Sequence, residues 1–321
     1  MSQGGRTAAK MAEIVVAGAR TFFGVPLAAD PASFTAHVAF LGVPFDGGTP
    51  QPGNKTGQKL GPAAARHASW EQFTYGEDGA AGWYEIESDC DRLQGVTVAD
   101  VGDVVIQGAD DHGNFVRMPE AACQIVGQTC VLVAVGGDHS ISLPLVAGVA
   151  AHRRVEMLHV DAHADFCDEL DGSRLSGASQ LRRIAELPEV AGVTALGLRN
   201  VERDEVTGMR ELGVRFATTL DLLDRGPETV VNELVPISDA IYVSVDLDVL
   251  DLSVAPGTTL PEPGGLSYRE LRATLAAIAR RGRVVAIDVA ELNPPADNSG
   301  TTARVACWLI THLLSERFAN P

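Results

Sequence analysis

Three short apolar runs in this chain each end in a cluster of carboxylate and imidazole side chains. Val131 to Val135 leads into Gly136-Gly137-Asp138-His139-Ser140. Met157 to Val160 leads into Asp161-Ala162-His163-Ala164-Asp165, and Ile241 to Val245 into Asp246-Leu247-Asp248. Runs this short and this continuous read as strands buried on both faces of an α/β sheet. Ligands of open α/β sheets sit at the carboxyl ends of the strands, so these side chains are delivered toward one region. Carboxylates at close range repel one another unless a cation neutralises them. His139, Asp161, His163, Asp165, Asp246 and Asp248 supply enough donors for two divalent ions sharing bridging carboxylates. Taken singly, Asp-x-His is often a surface hydrogen bond, and Asp246-x-Asp248-x-x-Asp251 can cap a helix or form a turn. Three such clusters, each at the end of an apolar run, would leave that explanation with three sets of buried unpaired charge.

Apolar runs alternate with helical stretches from Val38 to Leu314, with no Gly/Ser-rich or Pro-rich linker between them. This predicts an α/β fold: one three-layer domain with a mainly parallel β-sheet flanked by helices. The division expected is an N-terminal extension over residues 1–35 packing on a catalytic domain over residues 36–321. Gly and Pro clusters at Pro44 to Pro52 and Pro256 to Gly265 read as long loops shaping a pocket. Ser299 to Phe318 carries apolar residues at helical spacing and reads as a closing helix. The net charge of −17 argues against nucleic acid as a partner, because phosphates attract basic surfaces. No stretch is long and apolar enough to span a membrane. The five cysteines are scattered, odd in number and without a Cys-x-x-Cys pair, which fits free thiols and a cytoplasmic location.

The combined motifs resemble the ureohydrolases, the arginase and agmatinase superfamily, and agmatinase-like members most of all. Gly136 to Ser140, Asp161 to Asp165 and Ser244 to Asp251 are similar to its three signature blocks. The resemblance extends to Leu41 to Thr49, Gly61-Pro62 with Arg66, Val101-Gly102-Asp103, Ala255-Pro256-Gly257, Pro261 to Leu266 and Asp288 to Pro294. It implies an arginase-like fold and hydrolysis of a small cationic guanidino compound to an amine and urea. It also implies two divalent ions, Mn2+ first, with Ni2+, Co2+ or Zn2+ able to occupy the same donors. In the ligand set it implies, Asp161 and Asp246 bridge; His139 and Asp165 complete one ion, and His163 and Asp248 the other. Asp165 and Glu291 are the catalytic candidates, and Glu291 would also take two parallel N–H bonds from the guanidinium. Asp138 is expected to orient a loop or a ligand, and Asp251 to fix a turn. The resemblance further implies a homo-oligomer, a trimer or hexamer.

Four places depart from the family pattern and bear on substrate binding. Gly177 stands where many members carry a His that moves a proton or touches the substrate. Cys167 stands where arginases carry an Asn that reads the amino-acid head of arginine. Thr259-Leu260 replaces the usual Gly-Thr, and Gln51 stands where an Arg often precedes Pro-Gly. These changes favour an agmatinase-like enzyme, with agmatine, a guanidino acid or a smaller guanidino compound all open. A guanidino acid would need a cation such as Arg174 or Arg199 at the pocket mouth. The absent His leaves a second reading: a metal-binding protein of this fold with weak or no activity, acting as partner or regulator. A single-zinc deacetylase of related fold would need only one ligand set.

Overall fold

The structure, a computed structural model, describes residues 15–16, 20–28, 30, 33–48, 56–72, 80–108 and 110–319. Thr49, Gln51 and most of the 1–35 segment lie outside these residues. Among the described residues eleven strands form, and nine of them make one sheet. They are β1 (Val15–Val16), β2 (Ala36–Gly42), β3 (Trp83–Glu85), β4 (Cys90–Arg92), β5 (Val98–Val104) and β6 (Thr129–Val135). The rest are β7 (Val155–Val160), β8 (Val190–Leu198), β9 (Arg215–Thr218), β10 (Ser238–Asp246) and β11 (Gly282–Ala290).

The order across the sheet is β1-β5-β2-β6-β11-β10-β7-β8-β9. Only β1, at one edge, runs antiparallel; β3 and β4 form a separate hairpin. The three apolar runs are the strands β6, β7 and β10, buried on both faces as their unbroken composition requires. Helices α1 (Gly61–Gln72), α6 (Thr219–Arg225), α7 (Pro227–Leu234), α8 (Tyr268–Arg280) and α9 (Thr301–Arg317) cover one face. Helices α2 (Asp111–Val126), α3 (Ser142–Ala150), α4 (Gln180–Ala185) and α5 (Arg203–Glu211) cover the other. The sheet therefore separates two apolar layers, one built on Phe40, Val133 and Leu309, the other on Leu41, Leu132 and Met118. The closing helix α9 packs on this chain's own core through Ala306, Cys307, Ile310 and Leu313.

Residues 20–28 lie against the domain. Phe22 and Phe23 are buried, and their amides donate to Asp100 Oδ2 and Ser69 Oγ. The chain crosses between the halves of the sheet at β6 and β7, which are separated by β11 and β10. After β9 the chain returns and fills that gap with β10 and then β11, so connections run in opposite directions across the centre of the sheet, the position at which an open α/β sheet leaves a crevice.

Candidate metal centre

The four central strands end side by side, and each delivers part of one constellation. β6 leads to His139, β7 to Asp161, His163 and Asp165, β10 to Asp246 and Asp248, and β11 to Glu291. The turn after β6 is made possible by glycine: Gly136 and Gly137 both have φ near +90°. A Cβ on Gly136 would meet Pro62 Cδ at 2.2 Å. Asp165 and Glu291 occupy the same left-handed region without being glycine, with φ of 49° and 62°. Such backbone is unfavourable for a residue with a Cβ and persists where surrounding contacts impose it.

His139 Nδ1 lies 2.9 Å from Asp161 Oδ2, 3.1 Å from Asp165 Oδ2 and 3.1 Å from Asp246 Oδ2. One N–H cannot serve three acceptors, and neither His139 Nδ1 nor Asp161 Oδ2 makes a well-formed hydrogen bond. The opposite edge of the ring explains what Nδ1 is for. Nε2 is 2.8 Å from Ser244 Oγ, whose hydroxyl donates to Asp288 Oδ1 at 2.7 Å. Asp288 is buried and also receives Tyr242 OH at 2.7 Å. Because Ser244 spends its hydrogen on the carboxylate, it must accept from the imidazole, which places a proton on Nε2 and leaves the Nδ1 lone pair facing three carboxylates. Donors spaced about 3 Å apart suit an ion with bonds of about 2.1 Å in octahedral geometry.

A second group shares Asp161. His163 Nδ1 is 3.5 Å from Asp161 Oδ1 and 3.0 Å from Asp248 Oδ2. Its Nε2 is 3.6 Å from Glu262 Oε1, which receives Asn200 Nδ2 at 2.6 Å. Asp161 thus turns one oxygen to each group. The electrostatics report the crowding. Burial, with Asp248 and Asp161 adding, pushes the Asp246 carboxyl well above its usual range; Asp248 is raised to about 6 by burial and Asp161. Burial opposes charge on His139, but Asp161, Asp165 and Asp246 outweigh it and hold a proton on the ring far above the usual imidazole range. The site demands positive charge between these groups, and a divalent ion bound there would supply it in that proton's place.

Two more of the expected residues are placed around this centre. Asp138 is buried; it accepts from the Gly48 amide at 2.6 Å and the Ser140 amide at 3.1 Å, so it ties the first loop to the site. Asp251 accepts from Ser253, Gly264 and Gly265 and fixes the loop that carries Thr259 and Leu260. A cavity of about 380 Å3 opens above the two groups. Cys167, Gly177, Thr259, Leu260 and Glu291 line it.

A family model described as the arginase family matches residues 36–315. The chain belongs to the arginase family. This arginase-family chain is 31% identical over 306 residues to guanidinopropionase of Pseudomonas aeruginosa, covering 93% of the chain and 91% of that protein. It is 31% identical over 297 residues to the mitochondrial guanidino acid hydrolase of Homo sapiens, covering 90% and 80%. Its structure matches proclavaminate amidino hydrolase from Streptomyces clavuligerus with a TM-score of 0.82 and 27% identity, over 94% of the chain and 97% of the other. The family is one of hydrolases acting on amidine and guanidino C–N bonds.

Sequence reasoning missed several residues of the site. His159 is fully buried, with Nε2 3.2 Å from both Asp161 Oδ2 and the His163 carbonyl oxygen. Facing two acceptors, Nε2 carries a proton and steadies Asp161. The period-2 alternation of β7 puts residues 159 and 161 on one face, a signal that was available. Asn200, Glu202 and Glu262 come from loops and Gln58 from a single 3-10 turn, where no periodicity marks them, and Glu205 sits in the first turn of α5. Arg199 is no free cation at the mouth. Its guanidinium donates to the carbonyl oxygens of Asp248, Val249, Leu250, Glu262 and Pro263. Arg174 points to Asp168 and Glu186 and does not line the cavity.

Proposed function

We propose that the chain hydrolyses a guanidino compound carrying a cationic tail, the agmatine type, at a binuclear centre of His139, Asp161, His163, Asp165, Asp246 and Asp248. The observation that carries the reading is the set of three carboxylate oxygens converging on Nδ1 of His139, whose other edge is backed by Ser244 and Asp288. Two divalent ions held there, Mn2+ by the hardness of the donors, would act as Lewis acids and lower the pKa of water. The chain's own groups do the rest. Glu291 lies at the cavity floor, with Oε1 held by the His139 amide at 3.0 Å. It offers its two oxygens to the N–H bonds of the guanidinium and turns the central carbon toward the ligand groups. Asp165 borders the same cavity and is placed to hold a proton during departure of the amine.

The tail reading rests on charge. The outer wall carries Asn200, Glu202 and Glu205, and among the described residues no Lys or Arg lines the cavity. A carboxylate tail would meet like charge there; an ammonium would be welcomed. Cys167 and Gly177 fill the wall between tail and head, and Gly177 leaves the space a larger residue would take. All five cysteines are free, which supports a reducing compartment such as the cytoplasm; no helix among the described residues is long and apolar enough to cross a membrane. The family resemblance supports a homo-oligomer, which light scattering on the purified protein would size.

The test is urea release from Mn2+-loaded and Ni2+-loaded protein over guanidino compounds ending in ammonium, hydroxyl, methyl and carboxylate. Ammonium-tailed compounds should give the highest kcat/KM. Asp246→Asn should lose metal and nearly all urea release, whereas Glu291→Gln should keep its metal and lose substrate use. A carboxylate-tailed compound turned over best would overturn the tail assignment, and full activity with full metal in Asp246→Asn would overturn the ligand set.

A further inference from the structure

The buried amide of Gln58 sits directly behind the Glu291 carboxylate. Gln58 lies in a short 3-10 turn (Gln58–Leu60), is fully buried, and uses every polar atom of its side chain. Its Oε1 accepts from the Gly57 amide at 2.9 Å, and its Nε2 donates to Thr259 Oγ1 at 2.5 Å and to Glu291 Oε2 at 3.1 Å. The amide cannot be turned over, because its oxygen would then face a carboxylate and the Gly57 amide would lose its acceptor. Thr259 Oγ1 also receives Asn293 Nδ2 at 3.3 Å. Thr259 Oγ1 thus braces, together with Asn293, the same Gln58 amide that holds Glu291.

Glu291 is therefore held from behind on both oxygens, by the His139 amide on one and by Gln58 on the other. What remains free is the edge of the carboxylate facing the cavity. A guanidinium presents two parallel N–H bonds in a plane, so it binds a carboxylate well only when both oxygens lie in that plane. A carboxylate free to rotate about its last bond would lose that match for much of the time.

We propose that Gln58, with Thr259, is a positioning residue that sets the plane of the Glu291 carboxylate for the guanidinium head of the substrate. This rests on the guanidino-hydrolase reading for the role of Glu291. It adds that head recognition depends on two loops that carry no metal ligand, the turn at residues 57–60 and the loop at residues 255–265. Neither Gln58 nor Thr259 touches a ligand group, so their effect should fall on substrate affinity and leave metal content alone.

The experiment is a double-mutant cycle on Mn2+-reconstituted protein with two readouts, KM for urea release and calorimetric binding of methylguanidinium ion. Gln58→Met keeps the shape of the side chain and removes its donors. It should raise KM and the methylguanidinium Kd about ten-fold, as loss of a hydrogen bond to a charged group does, with a smaller fall in kcat. In the Glu291→Gln background the same change should move Kd less than about two-fold, because the group it acts through is gone. Thr259→Val should weaken binding in the same direction, Thr259→Ser should restore it, and either serves if Gln58→Met fails to fold. Equal effects of Gln58→Met in both backgrounds, or none in either, would overturn the proposal. A wild-type protein that releases no urea yet shows the predicted cycle in calorimetry would sink the hydrolase reading alone and leave the positioning role standing.

Discussion

The Cys167 thiol faces the cavity, yet it is a poor nucleophile. Burial, with Glu205 beside it at 3.5 Å, pushes its pKa up to about 12. Thiolate is the reactive form, so at pH 7.5 iodoacetamide should leave Cys167 unmodified in the folded protein, as read by mass spectrometry of its peptide. Rapid alkylation there would show that the acidic wall is absent or neutralised. Gly177 makes the opposite kind of test. A Cβ built on it finds its nearest neighbours at 3.8–4.0 Å, and its φ is ordinary, so the backbone at Gly177→His accepts a side chain without strain. The wild-type protein should already release urea, and the added imidazole should shift the preference among guanidino tails by about ten-fold or more, within the range a general acid or base or a filled subsite commands. Urea released only by Gly177→His would identify the native chain as a disabled hydrolase. Both residues could be picked out in the sequence because they break a motif. Gln58 and Glu262 could not, since nothing in a loop's composition reports which distant carboxylate or imidazole its side chains reach.

At the scale of elements, one buried guanidinium joins three pieces of chain. Arg66 on α1 binds Asp100 through Nε and Nη2 at 2.8 and 3.0 Å, Asp103 through Nη1, and the Gly102 carbonyl oxygen at 3.1 Å. Its guanidinium also lies 5.2 Å from the Phe22 ring, so the segment at residues 20–28 is pinned by the same group. Removing one partner of a buried pair leaves the other uncompensated, at about 3–5 kcal/mol. Arg66→Met should lose about that much in urea denaturation, while Arg66→Lys, which cannot bind both Asp100 oxygens, should fall between. A change under about 1 kcal/mol for Arg66→Met, the scale of a surface pair, would contradict the account. The strands and the central parallel sheet were legible because unbroken apolar runs have few alternatives. The order of strands was not. β11 and β10 insert between β6 and β7 although they follow them by some seventy residues or more of chain, and no local pattern encodes which neighbour a doubly buried strand will choose.

For the whole molecule, acid should unfold it partly through a group far from the cavity. His312 on α9 is packed among Trp83, Trp308 and Tyr268 and lies 3.2 Å from Glu85. Burial, reinforced by Arg272, outweighs Glu85 and lowers its pKa to about 4. An imidazole in the unfolded chain titrates near 6.5. Between those values the unfolded state binds more protons, so stability is complete above about pH 7 and declines as pH falls from about 6.5 toward 4. The contribution is about 2 kcal/mol. His312→Gln should flatten that part of the pH–stability curve relative to wild type, measured by denaturant unfolding at pH 7 and pH 5; parallel curves would exclude His312 as the source. The strand insertion also has a bearing on synthesis. While the chain is emerging, β6 and β7 with His139, Asp161, His163 and Asp165 are complete long before Asp246, Asp248 and Glu291 have been made. The two early strands have no direct contact to make, because the strands that will lie between them are still missing. Four of the six candidate ligands therefore wait, unassembled, until the last third of the chain leaves the ribosome, and an ion that needs all six could be captured only near the end of translation.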